Sequence, residues 1–278
     1  MDFTWLHGLL YGLLCGFSQF LPVSAEAHRV LFLQLTGIKD EGSFVRLAVH
    51  LAALLALVTS CWPQLSRMRR EKRLAAIPPR RRKRQPDKKI LLDMKLIRTA
   101  AVPLLLSLIV MPMAEQVIGI RYWLVAAMLV VNGIVLYSPQ FMPGANKNSL
   151  TLSAWDAVLI GLSGALSVIP GFSRVGMIVS VGTMRGADRR YILEIALLLC
   201  IPVMIALCLM DFFSFGFSGM AVSGALLLSA VAAAVAAFAG SLVMIHFSRF
   251  LSINAGFAGF AYYCWGLALF IFVLYLTI

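Results

Sequence analysis

Residues 16–29 read GFSQFLPVSAEAHR and bring a proline, a serine, a glutamate, a histidine and an arginine into an otherwise apolar N-terminal region. Ionisable groups are costly within a membrane-type sequence, and there they usually mark a functional site. Residues 168–176, VIPGFSRVG, repeat the pattern of a proline followed by a serine and an arginine. The two stretches therefore predict one site built from distant parts of the chain.

The composition is that of a helical membrane protein. Of the 278 residues, 61% are hydrophobic and only 13% are charged, whereas a soluble domain has about 45–50% apolar and about 25% charged residues. The apolar runs are long and rich in Leu and Ala, unlike the alternating segments of about ten residues in a membrane β-barrel. We therefore expect an all-α polytopic membrane protein.

The net charge of +12 is concentrated between Arg67 and Arg98. A basic run that joins two apolar spans determines topology, because Lys and Arg are retained on the cytoplasmic side. Such a run can also contact the head groups of anionic lipids. This location argues against nucleic-acid binding and predicts a cytoplasmic loop over residues 64–98.

Two proline breaks predict two re-entrant helical hairpins. A spanning helix needs about 20 apolar residues, and the first apolar run is shorter because Pro22 interrupts it. We expect one hairpin over 4–37 and a second, around Pro170, over 154–184. Irregular backbone at membrane depth is tolerated where it is buried in protein or lines a cavity.

Each hairpin is followed by three predicted spans, so the chain divides into repeats 1–141 and 142–278. The positive-inside rule then puts both termini outside. The repeats have inverted topology, which brings the two breaks together near the midplane. The predicted spans are Phe44–Trp62, Thr99–Val117, Trp123–Phe141, Tyr191–Phe212, Ala221–Phe247 and Ala255–Leu276.

At the two breaks the chain resembles the undecaprenyl-diphosphate phosphatase family, of the bacitracin-resistance type. That family's first motif reads approximately E-G-x-x-E-F-L-P-V-S-S-x-G-H, and residues 15–28 here read CGFSQFLPVSAEAH. Its second motif, P-G-x-S-R-S-G, is matched by residues 170–176. The resemblance implies an enzyme of the bacterial inner membrane that hydrolyses a polyprenyl diphosphate to the monophosphate, recycling the lipid carrier of cell-wall synthesis.

The residues that differ from the family motifs are at positions where the family has glutamates and serines that could take part in the reaction. Cys15 and Gln19 stand where the family has glutamates, Ala25 where it has a second serine, and Val175 where a serine follows the arginine. A second function therefore stays open, in which the chain binds polyprenyl phosphate and flips it across the bilayer without hydrolysis. Broken helices in inverted repeats are a common framework for such transport.

Arg174 is the leading candidate for phosphate binding. A guanidinium can hold phosphate oxygens bidentately, and backbone amides at a helix N-terminus favour anions. Alternatively Arg174 pairs with Glu26 and only stabilises the fold. The serines at the breaks either donate to phosphate or satisfy backbone groups that the broken helices free. The expected substrate-binding residues are Ser24, His50, Gly171, Ser173, Arg174 and Gly176.

The expected catalytic residues are His28, Glu26 and Arg174. His28 is interpreted as a nucleophile or general acid, or as a hydrogen-bonded cap of the second half-helix. Glu26 is expected to orient His28, act as base or hold Mg²⁺ or Ca²⁺, or only to neutralise Arg174 or Arg29. His50 is expected to face the cavity or to make a structural hydrogen bond, and Arg46 to extend its charged head into the interface. Whether the chain forms a homodimer stays open.

Overall fold

The computed structural model describes residues 3–114, 116–117, 121–142, 146–219, 221–254 and 256–277. Within them the only pairing of β type is a backbone bridge between Lys147 and Ala187. The α-helices are α1 (Trp5–Gln19), α2 (Ala25–Thr36), α3 (Ser43–Ser60), α4 (Trp62–Ala76), α5 (Lys88–Ser107), α6 (Met111–Ala114), α7 (Tyr122–Tyr137), α8 (Ala154–Ala165), α9 (Arg174–Met184), α10 (Arg189–Ser218), α11 (Gly224–Asn254) and α12 (Gly259–Thr277).

Five of these helices are long and apolar enough to cross a membrane. They are α3, α7 with its 3-10 extension to Phe141, α10, α11 and α12. Helices α8 and α9 are apolar but shorter. The prediction of an all-α polytopic membrane protein is thus confirmed, while the repeat boundaries 1–141 and 142–278 stay a prediction. Both chain ends and residue 255, the predicted start of the last span, lie outside the described residues.

The predicted span Thr99–Val117 is divided in the structure. Helix α5 begins at Lys88 and ends at Ser107, and α6 follows after three residues. Pro112 lacks an amide hydrogen, so the carbonyl of Leu108 has no α-helical partner four residues on. It accepts instead from the amide of Met111, which tightens the chain and separates the two helices.

The segment 64–98, predicted as a cytoplasmic loop between two spans, is largely helical, and its cytoplasmic location stays a prediction. It contains most of α4, a short 3-10 helix over Pro79–Arg81 and the first half of α5. Leu65 and Met68, three residues apart on α4, pack against the apolar core. This helical spacing of apolar residues among the Lys and Arg residues gives α4 one packed face.

The two hairpins are formed by α1 with α2 and by α8 with α9. Ser24 is the N-cap of α2, because its side chain accepts a hydrogen bond from the amide of Ala27. The helix therefore begins at Ala25, three residues after Pro22, and the polar cluster lies in its first turns. Ser173 caps α9 in the same way, which makes Arg174 the first residue of that helix.

The packing of α1 against α11 and the course of α10 together determine where the site lies. A Cβ atom on Gly12 of α1 would lie 2.1 Å from the carbonyl oxygen of Ala233, so α1 lies against α11 at the level of the backbone. Helix α10 runs through the protein and buries most of its first half, residues 192–200, in the main core. Its second half, together with α1, α2 and α3, surrounds a polar cavity.

Candidate active site

The two breaks meet in the structure and hold each other by hydrogen bonds. The Oγ of Ser24 accepts from the amide of Gly171 at 3.0 Å, and the Oγ of Ser173 donates to the carbonyl of Leu21 at 3.0 Å. Each hydroxyl also accepts from an amide in the first turn of its own helix. Both serines thus satisfy backbone groups that the breaks leave free, which is the structural role that the sequence left open.

Neighbouring helices satisfy further backbone groups of the breaks. The amide of Ser173 donates to Oδ1 of Asn132 on α7 at 3.0 Å. The hydroxyl of Ser248 on α11 donates to the carbonyl of Phe20 at 2.7 Å. Buried backbone groups need such partners, so the crossing of the two hairpins is a rigid element.

Gly171 and Gly176 are packing residues of this crossing. Gly171 has φ +114°, and a Cβ there would lie 2.4 Å from Cβ of Met128. A Cβ on Gly176 would lie 2.8 Å from the side chain of Leu136. Both positions therefore require glycine for the backbone to approach α7.

A polar cavity of about 260 Å³ lies beside the crossing, between α1, α2, α3, α6 and the second half of α10. Cys15, Gln19 and Ala25 lie on its wall, and these are three of the positions at which the sequence departs from the phosphatase motifs. We define the polar cavity by six of its polar side chains: Tyr11, Glu26, Arg29, Arg46, His50 and Asp211.

One arm of the charge network begins at Glu26. Its Oε2 lies 2.8 Å from Nε of Arg29, and Nη1 of Arg29 lies 3.4 Å from Oε1 of Glu41. Tyr11 donates to the same Glu41 oxygen at 3.0 Å. Glu41 is 2% exposed, and its other carboxylate oxygen has no hydrogen-bond partner among the described residues. Glu41 thus lies behind the cavity wall as a buried counter-charge.

The second arm joins α3 to α10. Arg46 and His50, one helical turn apart, both contact Asp211: Nε of Arg46 lies 3.4 Å from Oδ1, and Nδ1 of His50 lies 2.6 Å from Oδ2. Nη1 of Arg46 also lies 3.8 Å from Glu41 and therefore links the two arms. Arg46 is thus a member of the cavity network, and the expectation that it only extends into the interface is wrong.

Arg174 lies just below the polar cavity rather than in its wall. Its Nε donates to the hydroxyl of Ser167 at 3.2 Å, and its guanidinium interacts with the thiol of Cys200. Cys200 lies one turn of α10, about 6 Å, from Met204, whose sulfur accepts a hydrogen bond from Gln19 on the cavity wall. Glu26 pairs with Arg29 and not with Arg174.

His28 lies on the opposite side of α2 from Glu26, because side chains two positions apart on an α-helix point about 200° apart around the helix axis. Its Nδ1 lies 2.5 Å from the carbonyl oxygen of Ser24, and its Nε2 lies 2.6 Å from the hydroxyl of Tyr263 on α12. His28 is therefore absent from the cavity wall, and the expectation that Glu26 orients it is wrong. The geometry fits the reading of His28 as a hydrogen-bonded residue at the start of α2.

Besides Arg46, four residues of the network were not expected to be functional, namely Tyr11, Arg29, Glu41 and Asp211. Asp211 carried the clearest signal, since a carboxylate within a long apolar helix is a candidate site residue by itself. Arg29 follows Glu26 by three residues on α2, a spacing that favours an ion pair. Tyr11 and Glu41 had no local signal.

The cavity carboxylates do not fit a divalent cation in this arrangement. Mg²⁺ and Ca²⁺ need several oxygen ligands. Among the described residues no group of three His, Cys, Asp or Glu side chains could hold a metal ion. Glu26 is engaged by Arg29, and Asp211 by Arg46 and His50.

Comparison with known proteins gives one consistent family. The profile described as Bacitracin resistance protein BacA matches residues 8–270. A protein of Caldicellulosiruptor bescii named undecaprenyl-diphosphatase is 29% identical, with 98% of each chain covered. Proteins of the same name from Nitrosococcus oceani and Nocardioides sp. are 33% and 30% identical, covering 74% and 72% of each chain.

Proposed function

The chain belongs to the Bacitracin resistance protein BacA family, and on that premise we propose that it hydrolyses a polyprenyl diphosphate to the monophosphate and inorganic phosphate. One observation carries the proposal. Three positions of the first motif, Cys15, Gln19 and Ala25, line a single cavity, and the same cavity contains carboxylates, guanidinium groups and an imidazole from other positions.

The diphosphate and the isoprene chain of the substrate match the polar and the apolar wall of the cavity, respectively. Arg29 and Arg46 lie on the polar wall, and guanidinium groups bind phosphate oxygens bidentately. Met111, Pro112, Leu207 and Met210 form the apolar wall, where the first isoprene units would lie. Arg174 would hold the terminal phosphate from below, after the diphosphate enters and displaces part of the carboxylate pairing of Arg29.

The hydrolytic step requires a base for water and charge stabilisation for the phosphoryl group. Water attacks the terminal phosphorus, the bond to the bridging oxygen breaks, and the lipid monophosphate leaves. His50, held at Nδ1 by Asp211, accepts the proton from water at Nε2, and Glu26 is the second candidate base. The guanidinium groups stabilise the charge on the phosphoryl oxygens during transfer.

A second candidate function is binding and translocation of the lipid phosphate without hydrolysis. The observation that favours it is the pairing of every carboxylate in the cavity network with a cation, together with the loss of the two motif glutamates. Such a site can bind an anion, but its carboxylates are paired and therefore not free to act as a base.

Phosphate release from a polyprenyl diphosphate, measured with the purified full-length protein in detergent, separates the two. We expect release by the wild type and a loss of about 100-fold in His50→Gln. His246→Gln is the matched control, because His246 is exposed on α11 and bonds only the carbonyl of Leu242 among the described residues. No release from the wild type, with retained lipid-phosphate binding that Arg46→Gln abolishes, would support the second candidate.

The proposed orientation puts both termini and the mouth of the polar cavity outside, and the basic segment 64–98 inside, in contact with anionic lipids. It is supported by the positive-inside rule and by the exposure of most basic side chains of α4. In intact cells a cysteine at Ser214 should react with an impermeant thiol reagent, and a cysteine at Arg82 only after permeabilisation. The reverse pattern would invert the orientation.

A further inference from the structure

A second cavity, of about 300 Å³, lies at the opposite end of α10 from the polar cavity. It is enclosed by α9, the first residue of α10, the end of α7 and the connection between α11 and α12. We call it the α9–α10 cavity and define it by Ser180, Thr183, Arg189 and Gly256. Arg189 and Asp211 are separated by 22 residues of one helix, or roughly 33 Å.

A hydroxyl group of α9 lies at this cavity without a partner. Thr183 is 7% exposed, and its Oγ1 makes no hydrogen bond to any described residue. Ser180, three residues earlier on the same helix face, is 2% exposed and also lines the cavity. A buried polar group without a partner destabilises the folded state. Such a group beside a cavity indicates a ligand that accepts hydrogen bonds.

The guanidinium of Arg189 completes the site. Arg46, Arg185 and Arg249 each pair with a carboxylate, whereas Arg189 has no ion-pair partner among the described residues, and no carboxylate is among the described residues that line the cavity. A Cβ on Gly256 would lie 2.4 Å from Nη1 of Arg189, and this glycine has φ +76°. Glycine thus lets the guanidinium lie against the connection between α11 and α12.

We propose that the α9–α10 cavity is a second anion site, which binds a phosphate group carried by a lipid or free in solution. Arg189 supplies charge-assisted hydrogen bonds, and Ser180 and Thr183 donate their hydroxyl hydrogens to the remaining oxygens. The site is distinct from the polar cavity and does not depend on hydrolysis there. In the proposed orientation it opens on the cytoplasmic side.

Hydrogen–deuterium exchange of the full-length protein in neutral detergent tests the site locally. Inorganic phosphate, compared with chloride at equal ionic strength, should slow exchange in residues 179–189 and 256–258. Arg189→Gln should raise the half-saturating phosphate concentration for this protection by about tenfold or more. Arg190→Gln is the matched control, because Arg190 is the exposed neighbour and lines none of the cavities described above. Equal losses in the two variants would overturn the proposal, since they would indicate a general charge effect.

Thr183→Val keeps the side-chain shape and removes only the hydroxyl. Without phosphate the variant should melt at the same temperature as the wild type or higher, because it lacks the unpartnered group. With phosphate, the half-saturating concentration for the local protection should rise by about fivefold. A lower melting temperature without phosphate and unchanged protection would show a purely structural hydroxyl and overturn the site.

Two further arms distinguish the source of the phosphate. Micelles doped with phosphatidic acid carry a lipid phosphomonoester, and micelles doped with phosphatidylcholine serve as the control lipid. Protection by phosphatidic acid alone assigns the site to a lipid head group, and protection by inorganic phosphate as well assigns it to the phosphate group itself. Protection by neither, in a protein whose polar cavity still releases phosphate, would overturn this proposal and leave the hydrolytic function standing.

Discussion

Nδ1 of His50 lies 2.6 Å from Oδ2 of Asp211 and joins the first half of α3 to the second half of α10 across the polar cavity. A carboxylate at Nδ1 favours the imidazole tautomer whose Nε2 accepts a proton. Arg46, one turn away on α3, contacts the other oxygen of the same carboxylate. In the proposed reaction Asp211 would therefore position both the base, His50, and a phosphate-binding group, Arg46.

Asp211→Asn should lower kcat for phosphate release by about 10- to 100-fold. The amide keeps the shape of the carboxylate but no longer fixes the imidazole tautomer or holds Arg46. Phosphate release over a range of pH is the measurement, because a positioning role shifts the pH profile, which a general loss of folded protein does not.

Asp40→Asn is the matched control for this change. Asp40 also lies 3.8 Å from Arg46, but its side chain is 60% exposed, and exposed pairs contribute little. Its kcat should stay within about twofold of the wild type. If the two variants lose the same activity, the His50–Asp211 contact has no special role in the reaction.

Gly171→Ala should destabilise the crossing of the two hairpins. Its φ of +114° is unfavourable for alanine, and the added Cβ would meet the side chain of Met128 at 2.4 Å. Overpacking costs about 1–3 kcal/mol and the backbone conformation about 1–2 kcal/mol more. The melting temperature in detergent should therefore fall clearly below that of the wild type.

Gly216→Ala provides the comparison, since Gly216 lies within α10 and a Cβ there would meet no atom within 4 Å. Alanine has the higher helix propensity, so the melting temperature should stay the same or rise. Equal losses for Gly171→Ala and Gly216→Ala would show that the close approach to α7 is unimportant.

Acidification should release the connection between α4 and α5. The carboxylate of Glu71 accepts hydrogen bonds from the guanidinium of Arg84 and from the amide of Asp87. These bonds, with the Arg84 bond as the larger cause, hold the pKa of Glu71 below its ordinary value of 4.5. The stabilising contact is therefore present above that value and is lost as the pH falls through the lowered pKa.

Limited proteolysis between α4 and α5 measures this release, with an acid-active protease under acidic conditions and a neutral protease at higher pH. Cleavage in the wild type should increase only under strongly acidic conditions, whereas Glu71→Gln should be cleaved readily at every pH. Asp93→Asn is a suitable comparison, because Asp93 contacts Tyr191 instead. An unchanged cleavage rate in Glu71→Gln would exclude Glu71 as the anchor of this connection.

The sequence predicted the membrane class and the two breaks, since both follow from composition and from Pro22 and Pro170. It missed the helical nature of segment 64–98, because tertiary packing of Leu65 and Met68 outweighs the dense positive charge. It missed the division of the predicted span after Ser107, because that division depends on a backbone hydrogen bond that Pro112 cannot donate.

The site was only partly predictable for a geometric reason. Glu26 and His28 are close in sequence, yet the turn of α2 sends them to opposite sides. Glu41 and Asp211 are far apart in sequence, yet both contact Arg46. Which polar residues share a cavity depends on the packing of α3 against α10, and no local pattern in the chain encodes that packing.

Restoring a motif glutamate should raise the rate of phosphate release. Gln19 lies on the cavity wall, and its side-chain amide donates only to the sulfur of Met204 among the described residues. Gln19→Glu therefore adds a carboxylate to the cavity wall without breaking an ion pair. We expect a rate increase on the order of tenfold or more if a free base limits the reaction.

Gln85→Glu is the control for added negative charge, because Gln85 lies in the exposed connection before α5. Its rate should equal that of the wild type. The Gln19→Glu protein should also be tested with and without Mg²⁺ or Ca²⁺, because an unpaired carboxylate on the same cavity wall as Glu26 moves the cavity towards the oxygen ligands that these cations need. A rate that does not rise in Gln19→Glu, with or without the cation, would mean that a free carboxylate at this wall does not limit hydrolysis and would favour the translocation function.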